Sequence, residues 1–497
     1  MSATQSINIL NHLQLTVNSF LKIHCIFLEV LLKCPYIKNK EDGKMFAKLR
    51  DNSDLRNFYK SFLAIGIPLT IQQLVSSSLN FIDNLMIGRL GTEYLAAVGF
   101  AGSLYRILDL VIFGVCSGMG VFVAQYYGKK NYDAIKKIFG LMMRCAVFIG
   151  IVFAFIGHYF SNEIIKIFSK DTRVIEIGVS YIEIVVYCYI FYAISSGIAY
   201  TLRSMGYTKY PMFAAAVGVV ANTFFNYCLI YGNFGLPRLE EKGAAIATII
   251  ARIIEMVIIL TIVYIKDFNL KGKLSSYINV SKELIKEIIR VSTPVMCTES
   301  MWILGTIALT IAYAKLGTNQ AACAQIADVV STFSAILFMG IANSAAVIIG
   351  HTIGEGNKEK VIFYAKQILY VAFIMAAFCF VMVEIFVNPI VSLYHLPEEI
   401  THMAEKTVQV YGGLIFFKMV NWAILIGIFR AGGDTKVAFY LDILPLWLYG
   451  VPMAFIGAYL GLPIYYVIAI AEFCEVIKLC FAMLRYRSLR WMKDVTV

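Results

Sequence analysis

Two carboxylates in this 497-residue chain lie in apolar surroundings without a basic partner on the same helical face. Neither Asp83 nor Glu299 has a lysine or arginine three or four positions away. A charged side chain at the centre of a bilayer costs about 2.5–3.5 kcal/mol on insertion scales, so its presence there usually indicates function. A lone carboxylate can bind a proton, a sodium ion or a cationic substrate. We therefore predict that Asp83 and Glu299 are cation- or proton-binding residues.

Several other polar side chains could complete these sites. Gln72, Ser76, Asn80 and Asp83 follow helical spacing, which places them on one face of a helix. Asn222 and Asn226 are one turn apart and could supply oxygen ligands beside Asp83, or simply bond between helices. Lys418 could instead neutralise Glu299 as a structural ion pair. The predicted supporting set is Gln72, Gln73, Asn80, Asn222, Asn226, Lys418 and Asn421.

Other charged residues in apolar segments have a partner on their own helix. Each of these pairs is three positions apart, so its members share a helical face and can form an ion pair. We predict a structural role for them. The pairs are Arg106 with Asp109, Arg252 with Glu255, and Glu475 with Lys478.

The composition of the chain indicates an integral membrane protein. Apolar residues make up 59% of the chain and charged residues only 15%, and the mean hydropathy is +0.73. A soluble fold could not bury that much apolar surface. The eleven cysteines are scattered, and none forms a C-x-x-C pair. They are therefore interpreted as small buried apolar residues.

Twelve apolar segments are each long enough for the ~20 residues that a membrane span needs. The longest connector, 266–290, divides them into two sets of six. We predict an N-terminal extension at 1–44 that precedes a possible natural start at Met45, a lobe at 45–265, a cytoplasmic linker at 266–290, and a second lobe with a tail at 291–497. The segments are 63–88, 96–127, 138–160, 175–201, 210–231, 243–265, 291–314, 321–350, 364–387, 403–429, 437–459 and 463–484.

The positive charge of the chain follows its predicted topology. Connectors on one side carry roughly three times as many lysines and arginines as those on the other, and the richer side is expected to be cytoplasmic. Both termini and the linker then lie in the cytoplasm. The net charge of +11 is thereby accounted for, and no nucleic-acid partner is predicted.

The two halves repeat each other. Pro68 matches Pro294, and Leu90-Gly91-Thr92 matches Leu316-Gly317-Thr318, both at an offset of 226. At the same offset Gln73 falls on Glu299, and with a slip of one residue Arg203 falls on Arg430. An even number of spans per half gives both halves the same orientation. The halves should therefore be related by an axis along the membrane normal, with a substrate path between them.

Four motifs of this chain resemble the multidrug and toxic compound extrusion (MATE) family. They are P-x-x-x-Q-Q…D-x-x-M-I-G-x-L-G from Pro68, A-Q-x-x-G at 124–128, R-x-x-G-x-T at 203–208, and R-A-G-G-D-T at 430–435. The resemblance implies an all-α membrane fold, with twelve transmembrane helices in two pseudo-symmetric six-helix bundles arranged as a V.

The resemblance also implies roles for residues. Asp83 is similar to the first-helix aspartate of the family and Glu299 to the seventh-helix glutamate. Some members carry a second aspartate on the tenth helix, in a region where this chain reads Phe417-Lys418-Met419-Val420-Asn421. Archaeal-type members carry an aspartate on the fifth helix, where this chain has Asn226.

We accordingly expect a secondary active antiporter of the cytoplasmic membrane, monomeric and without a cofactor. It would export organic cations in exchange for entering Na⁺ or H⁺, with Na⁺ held at Asp83 or Glu299. A flippase for a lipid-linked saccharide would need several basic residues in its cavity, for which Lys418 and Arg106 are the candidates. A membrane transferase would need clustered histidines or paired carboxylates, and a passive channel would not need two lobes with buried acids.

Overall fold

A computed structural model describes residues 52–496, except the side chains of Asn52, Asn80 and Leu274. The predicted extension at 1–44 and the possible start at Met45 lie outside the described residues. Within the described part, the regular structure is entirely helical. The helices form two lobes, as the sequence predicts.

The first lobe contains six spans. One of them is broken, because α5 and α6 meet at an angle of 51°. The short α4 lies between the third and fourth spans. The helices are α1 (Asn52–Gly88), α2 (Thr92–Gly128), α3 (Tyr132–Tyr159), α4 (Ser161–Phe168), α5 (Thr172–Val185), α6 (Cys188–Ser204), α7 (Lys209–Tyr231) and α8 (Glu240–Lys266).

The second lobe follows a linker that contains the short α9. Two of its helices pass into π-helical stretches, at Ala423–Arg430 after α13 and at Leu446–Gly450 after α14. Its last span consists of α16 and α17, which are interrupted at Phe473. The helices are α9 (Leu274–Ile278), α10 (Lys282–Ala314), α11 (Thr318–Gly354), α12 (Lys358–Ser392), α13 (Glu398–Trp422), α14 (Thr435–Pro445), α15 (Val451–Tyr459), α16 (Ile464–Glu472) and α17 (Cys474–Arg487).

Ten helical segments in the described part are long and apolar enough to cross a membrane, or eleven with the bent α5–α6 pair as one span. The α16–α17 segment is broken into pieces shorter than a single span requires. Counted together, its two helices complete a set of twelve. The architecture is the predicted all-α membrane fold.

The internal repeat is visible in the turns between spans. Gly91 and Gly317 precede α2 and α11 with φ of 142° and 102°, a backbone conformation that residues with a Cβ rarely adopt. Asn131 caps α3 by accepting a hydrogen bond from the Ala134 amide at 3.1 Å, and Asn357 caps α12 by accepting one from Lys360 at 2.9 Å. Equivalent residues therefore start equivalent helices in both lobes.

The two lobes meet where α2 and α11 end. A Cβ on Gly128 would collide with the carbonyl oxygen of His351, and a Cβ on Gly354 would collide with that of Gln125. These contacts are reciprocal, because Gly354 and His351 are the repeat equivalents of Gly128 and Gln125. Close approach of two backbones requires glycine at both positions.

The other lobe contacts lie in the same half of the molecule. α1 packs on α11, and α2 packs on α10 as well as on α11. Toward the opposite ends of α1 and α11, Phe81, Leu85, Val329 and Phe333 are exposed. The V is thus closed on the side that the lysine and arginine distribution predicts to be cytoplasmic, and open on the other side.

Candidate functional site

A cavity of about 730 Å³ lies in the first lobe and extends to the lobe interface. α1, α2, α6, α7 and α8 form most of its wall, while α11 and the end of the π-helical stretch after α13 close one side. Charged side chains of both signs line it. They are Asp83, Asp109, Glu255, Arg106, Arg203, Arg252 and Arg430.

Asp83 is part of a hydrogen-bonded chain that joins α1, α7 and α8. The Nδ2 of Asn226 donates to Asp83 Oδ1 at 2.6 Å and to Asn222 Oδ1 at 2.9 Å. Asn222 Nδ2 donates in turn to Thr248 at 3.4 Å. Donation to two oxygens fixes the amide of Asn226, and its own Oδ1 is buried without a partner among the described residues. The structure thus places Asn226 against Asp83 through its Nδ2 rather than its oxygen, and Asn222 against Asn226. The predicted role of the two asparagines as oxygen ligands stays a prediction.

The two glutamines of α1 also line the cavity. Gln73 is exposed to it, whereas Gln72 is nearly buried and its Oε1 has no hydrogen-bond partner among the described residues. The side chain of Asn80 lies outside the described part. The ligand roles of these residues stay predictions.

Glu299 is not the isolated carboxylate that the sequence suggests. Its Oε1 lies 2.6 Å from Arg430 Nη1, and both side chains are largely buried. Glu299 is also absent from the cavity wall that contains Arg430. The partner was missed because Arg430 is 131 positions away and was assigned to a cytoplasmic connector. The structure places it at the end of a π-helical stretch, inside the protein.

Lys418 does not pair with Glu299, which was the alternative role considered for it. Lys418 Nζ lies 4.0 Å from Glu472 Oε1, and neither residue lines the cavity. Next to it, the buried Lys478 contacts Glu475 at 2.8 Å and Asp442 at 3.0 Å. Asn421 donates to Glu475 at 2.8 Å. Lys418 and Asn421 thus belong to a buried ionic network.

The same-helix pairs turn out differently from one another. Glu475 pairs with Lys478 as predicted, and Arg252 pairs with Glu255 at 2.7 Å. The predicted ion pair between Arg106 and Asp109 is wrong, because no such pair forms among the described residues. Arg106 donates to Ser103 at 2.7 Å, and Asp109 accepts a hydrogen bond from Tyr192.

Two cavity arginines were missed because the sequence analysis counted them as connector charges. Arg203 lies in the last turn of α6, and Arg430 occupies the equivalent place in the second lobe. The match of Arg203 with Arg430 in the repeat could have indicated a role inside the protein, since residues of true connectors need not recur at equivalent positions.

The MatE family model matches residues 68–228 and, a second time, residues 294–456. The chain belongs to the MatE family. The two matches begin at the repeated prolines Pro68 and Pro294, so each lobe is one copy of the family unit. MatE proteins are multi-pass membrane transporters rather than a family of enzymes.

Curated relatives and solved structures agree with this assignment. The chain is 23% identical over 405 residues to the "Probable multidrug resistance protein YoeA" of Bacillus subtilis, covering 80% of this chain and 86% of that protein. It is 22% identical to the "Probable multidrug resistance protein NorM" of Thermotoga maritima, covering 90% and 96%. The bent form of the Vibrio cholerae MATE transporter VcmN has the same fold, with a TM-score of 0.80, 18% identity, and coverage of 88% and 98%.

Proposed function

We propose that this MatE protein is a secondary active antiporter that exports organic cations across the cytoplasmic membrane. Substrate would enter between the lobes from the cytoplasm and leave from the open side. Entry of Na⁺ or H⁺ would drive the cycle, with Asp83 as its binding residue. The protein would act as a monomer.

The observation that carries this proposal is the position of Asp83. It lines a cavity large enough for a drug-sized molecule, and its described hydrogen bond comes from a neutral amide. A carboxylate without a bound cation is costly at this depth. Binding of a proton, sodium ion or organic cation there is therefore favoured. The three ligands would compete for the single carboxylate of Asp83.

Closure on one side only supports alternating access. A ligand can change the balance of two conformations only if it binds them with different affinity. The contacts at Gly128 and Gly354 must separate for the cytoplasmic side to open, which changes the wall of the cavity that α11 forms. Ligands in the cavity are thus exposed to different surroundings in the two states.

The flippase alternative is reconsidered because four arginines line the cavity, and Lys418 is not among them. Arg252 and Arg430 are each neutralised by a glutamate. Two arginines without a carboxylate partner among the described residues give little of the charge needed for a pyrophosphate. We therefore keep drug export as the proposal.

The test is ethidium efflux from everted vesicles under separately imposed proton and sodium gradients. We expect Asp83→Asn to abolish the dependence of efflux on the driving gradient. Asp133→Asn is the matched control, because it makes the same change on an exposed residue near the start of α3. Glu299→Gln tests the second predicted residue. Undiminished gradient-driven efflux in both Asp83→Asn and Glu299→Gln would refute the assignment of the coupling site.

A further inference from the structure

The repeat gives the two lobes an equivalent arginine with different surroundings. In the second lobe Arg430 is neutralised by Glu299 at 2.6 Å. The residue of the first lobe that matches Arg430 is Arg203, and the residue that matches Glu299 is Gln73. The first lobe therefore has a neutral amide where the second lobe has the compensating carboxylate.

The charge of Arg203 is correspondingly without a carboxylate partner. No carboxylate of residues 52–496 lies within ion-pair distance of its guanidinium, and its Nε is buried without a hydrogen-bond acceptor in that part of the chain. The guanidinium lies 5.0 Å from the centre of the Tyr200 ring. Both Arg203 and Gln73 line the cavity. A partly buried guanidinium without an anionic partner favours the approach of an anion.

The other cavity arginines differ from Arg203. Arg252 and Arg430 already have carboxylate partners. Arg106 is exposed and donates to the hydroxyl of Ser103. Arg203 is therefore the cavity arginine whose guanidinium has neither a carboxylate nor a hydroxyl partner among the described residues.

We infer that Arg203 and Gln73 bind an anionic group of the transported molecule, specifically a carboxylate. The inference rests on the proposed export function and narrows its substrate class to amphoteric molecules, with an amine at Asp83 and a carboxylate at Arg203. A guanidinium presents planar paired donors that match a carboxylate, and the amide of Gln73 adds another donor.

The two ends of such a molecule would be held at different depths. Gln73 and Asp83 are ten residues apart on α1, which is about 15 Å along a helix axis. Arg203 lies toward the closed end, since the carbonyl oxygen of the next residue, Ser204, contacts His351 Nε2 of α11 at 2.8 Å. The carboxylate would therefore point toward the closed end and the amine toward the open end.

The test uses Gln73→Glu, which places a carboxylate at the position that matches Glu299 in the repeat. In vesicles we expect efflux of the amphoteric fluoroquinolone norfloxacin to fall at least tenfold, while efflux of ethidium, a permanent cation without a carboxylate, is retained. Arg203→Gln should cause the same selective loss. The carboxyl ester of norfloxacin should be exported equally by the unmodified protein and by Gln73→Glu.

The control variant is Asn57→Glu, which makes a neutral-to-acidic change at an exposed position near the start of α1. Retained ethidium efflux shows that each variant is folded. Equal effects of Gln73→Glu on norfloxacin, its ester and ethidium, or no effect on any of them, would overturn the inference. Absence of ethidium efflux from the unmodified protein would instead refute the proposed function.

Discussion

The segment after α17, residues 488–496, lies across the closed ends of both lobes, and we call it the C-terminal strap. The side chain of Gln125 at the end of α2 is fully buried beneath it. Its Nε2 donates to the carbonyl oxygens of Ala431 at 3.0 Å and Lys493 at 3.1 Å, and its Oε1 accepts from the Val495 amide at 2.9 Å. One side chain of the first lobe thus holds both the second lobe and the strap.

We predict that Gln125→Ala weakens closure on this side. The change removes three hydrogen bonds, each of which contributes about 0.5–1.5 kcal/mol net. The closed arrangement would lose about 1.5–4.5 kcal/mol relative to one in which α2 and α11 separate. At about 1.4 kcal/mol for each factor of ten, the equilibrium shifts about tenfold to a thousandfold toward separation.

The assay is amide hydrogen exchange across the last turns of α2 and α11, which reports opening without labels. Exchange there should accelerate in Gln125→Ala. Lys129→Ala is the control, because its ion pair with Asp494 at 2.8 Å is partly exposed and is worth at most about 1 kcal/mol. A chain ending at Arg487 lacks the strap and should also exchange faster.

The truncated chain gives the decisive comparison. Two of the three hydrogen bonds of Gln125 go to the strap and one goes to Ala431. In the truncated chain only the bond to Ala431 is left to lose, so Gln125→Ala should accelerate hydrogen exchange less there than in the full chain. Fully additive effects of the two changes would refute a shared mechanism. Unchanged exchange in Gln125→Ala would refute the role of these bonds in closure.

Two further predictions concern charge. Lys478→Met should destabilise the second lobe by about 3–5 kcal/mol, because Glu475 and Asp442 would remain buried without their cation. Unfolding in detergent measures this loss of stability, with Lys136→Met as the control. An unchanged unfolding midpoint in Lys478→Met would contradict the prediction. In the strap, burial raises the pKa of Asp494, but its bonds with Lys129 and Thr496 outweigh burial and hold the pKa below the ordinary 3.8. A lowered pKa contributes stability that is present above the ordinary value and lost as the pH falls through the lowered one. Protection factors of the strap amides should therefore be constant from about pH 5 to 8 and decrease only below about pH 4, and a decrease near neutral pH would contradict this.

The sequence was sufficient for the spans and the two lobes. These features follow from local patterns, namely apolar length and capping residues that recur at one offset. Asn222 and Asn226 were named as partners of Asp83 because they are polar and one turn apart on one predicted span.

The partners of the buried charges were harder to predict. Glu299 has no basic residue three or four positions away on its own helix, and among residues of other helices only Lys418 was considered as its partner, whereas the structure pairs it with Arg430. Arg106 and Asp109 do share a helical face, but Ser103 and Tyr192 compete for their hydrogen bonds. Spacing along a helix restricts which groups can meet and does not decide which of several partners each one takes.

The charges of the two lobes differ in a way that bears on mechanism. In the second lobe the buried acids and bases are paired with each other, at Arg430 with Glu299 and throughout the network around Lys478. In the first lobe Asp83 and Arg203 face the cavity without an opposite charge within ion-pair distance in the described chain. Ligands therefore find their uncompensated charges in the first lobe.

Arg203 also adjoins the contact that must break when the closed side of the two lobes opens. His351 of α11 lies against the carbonyl oxygen of Ser204, the residue next to Arg203, and its ring packs against Tyr127 of α2 at 4.7 Å. Separation of α11 from α6 removes this wall and admits water to the guanidinium. A carboxylate bound to Arg203 is then held less strongly, because the ion pair becomes solvated. On the proposed role of Arg203, the affinity of the cavity for an anionic group would thus differ between the two conformations, which is the condition for a substrate to influence the transport cycle.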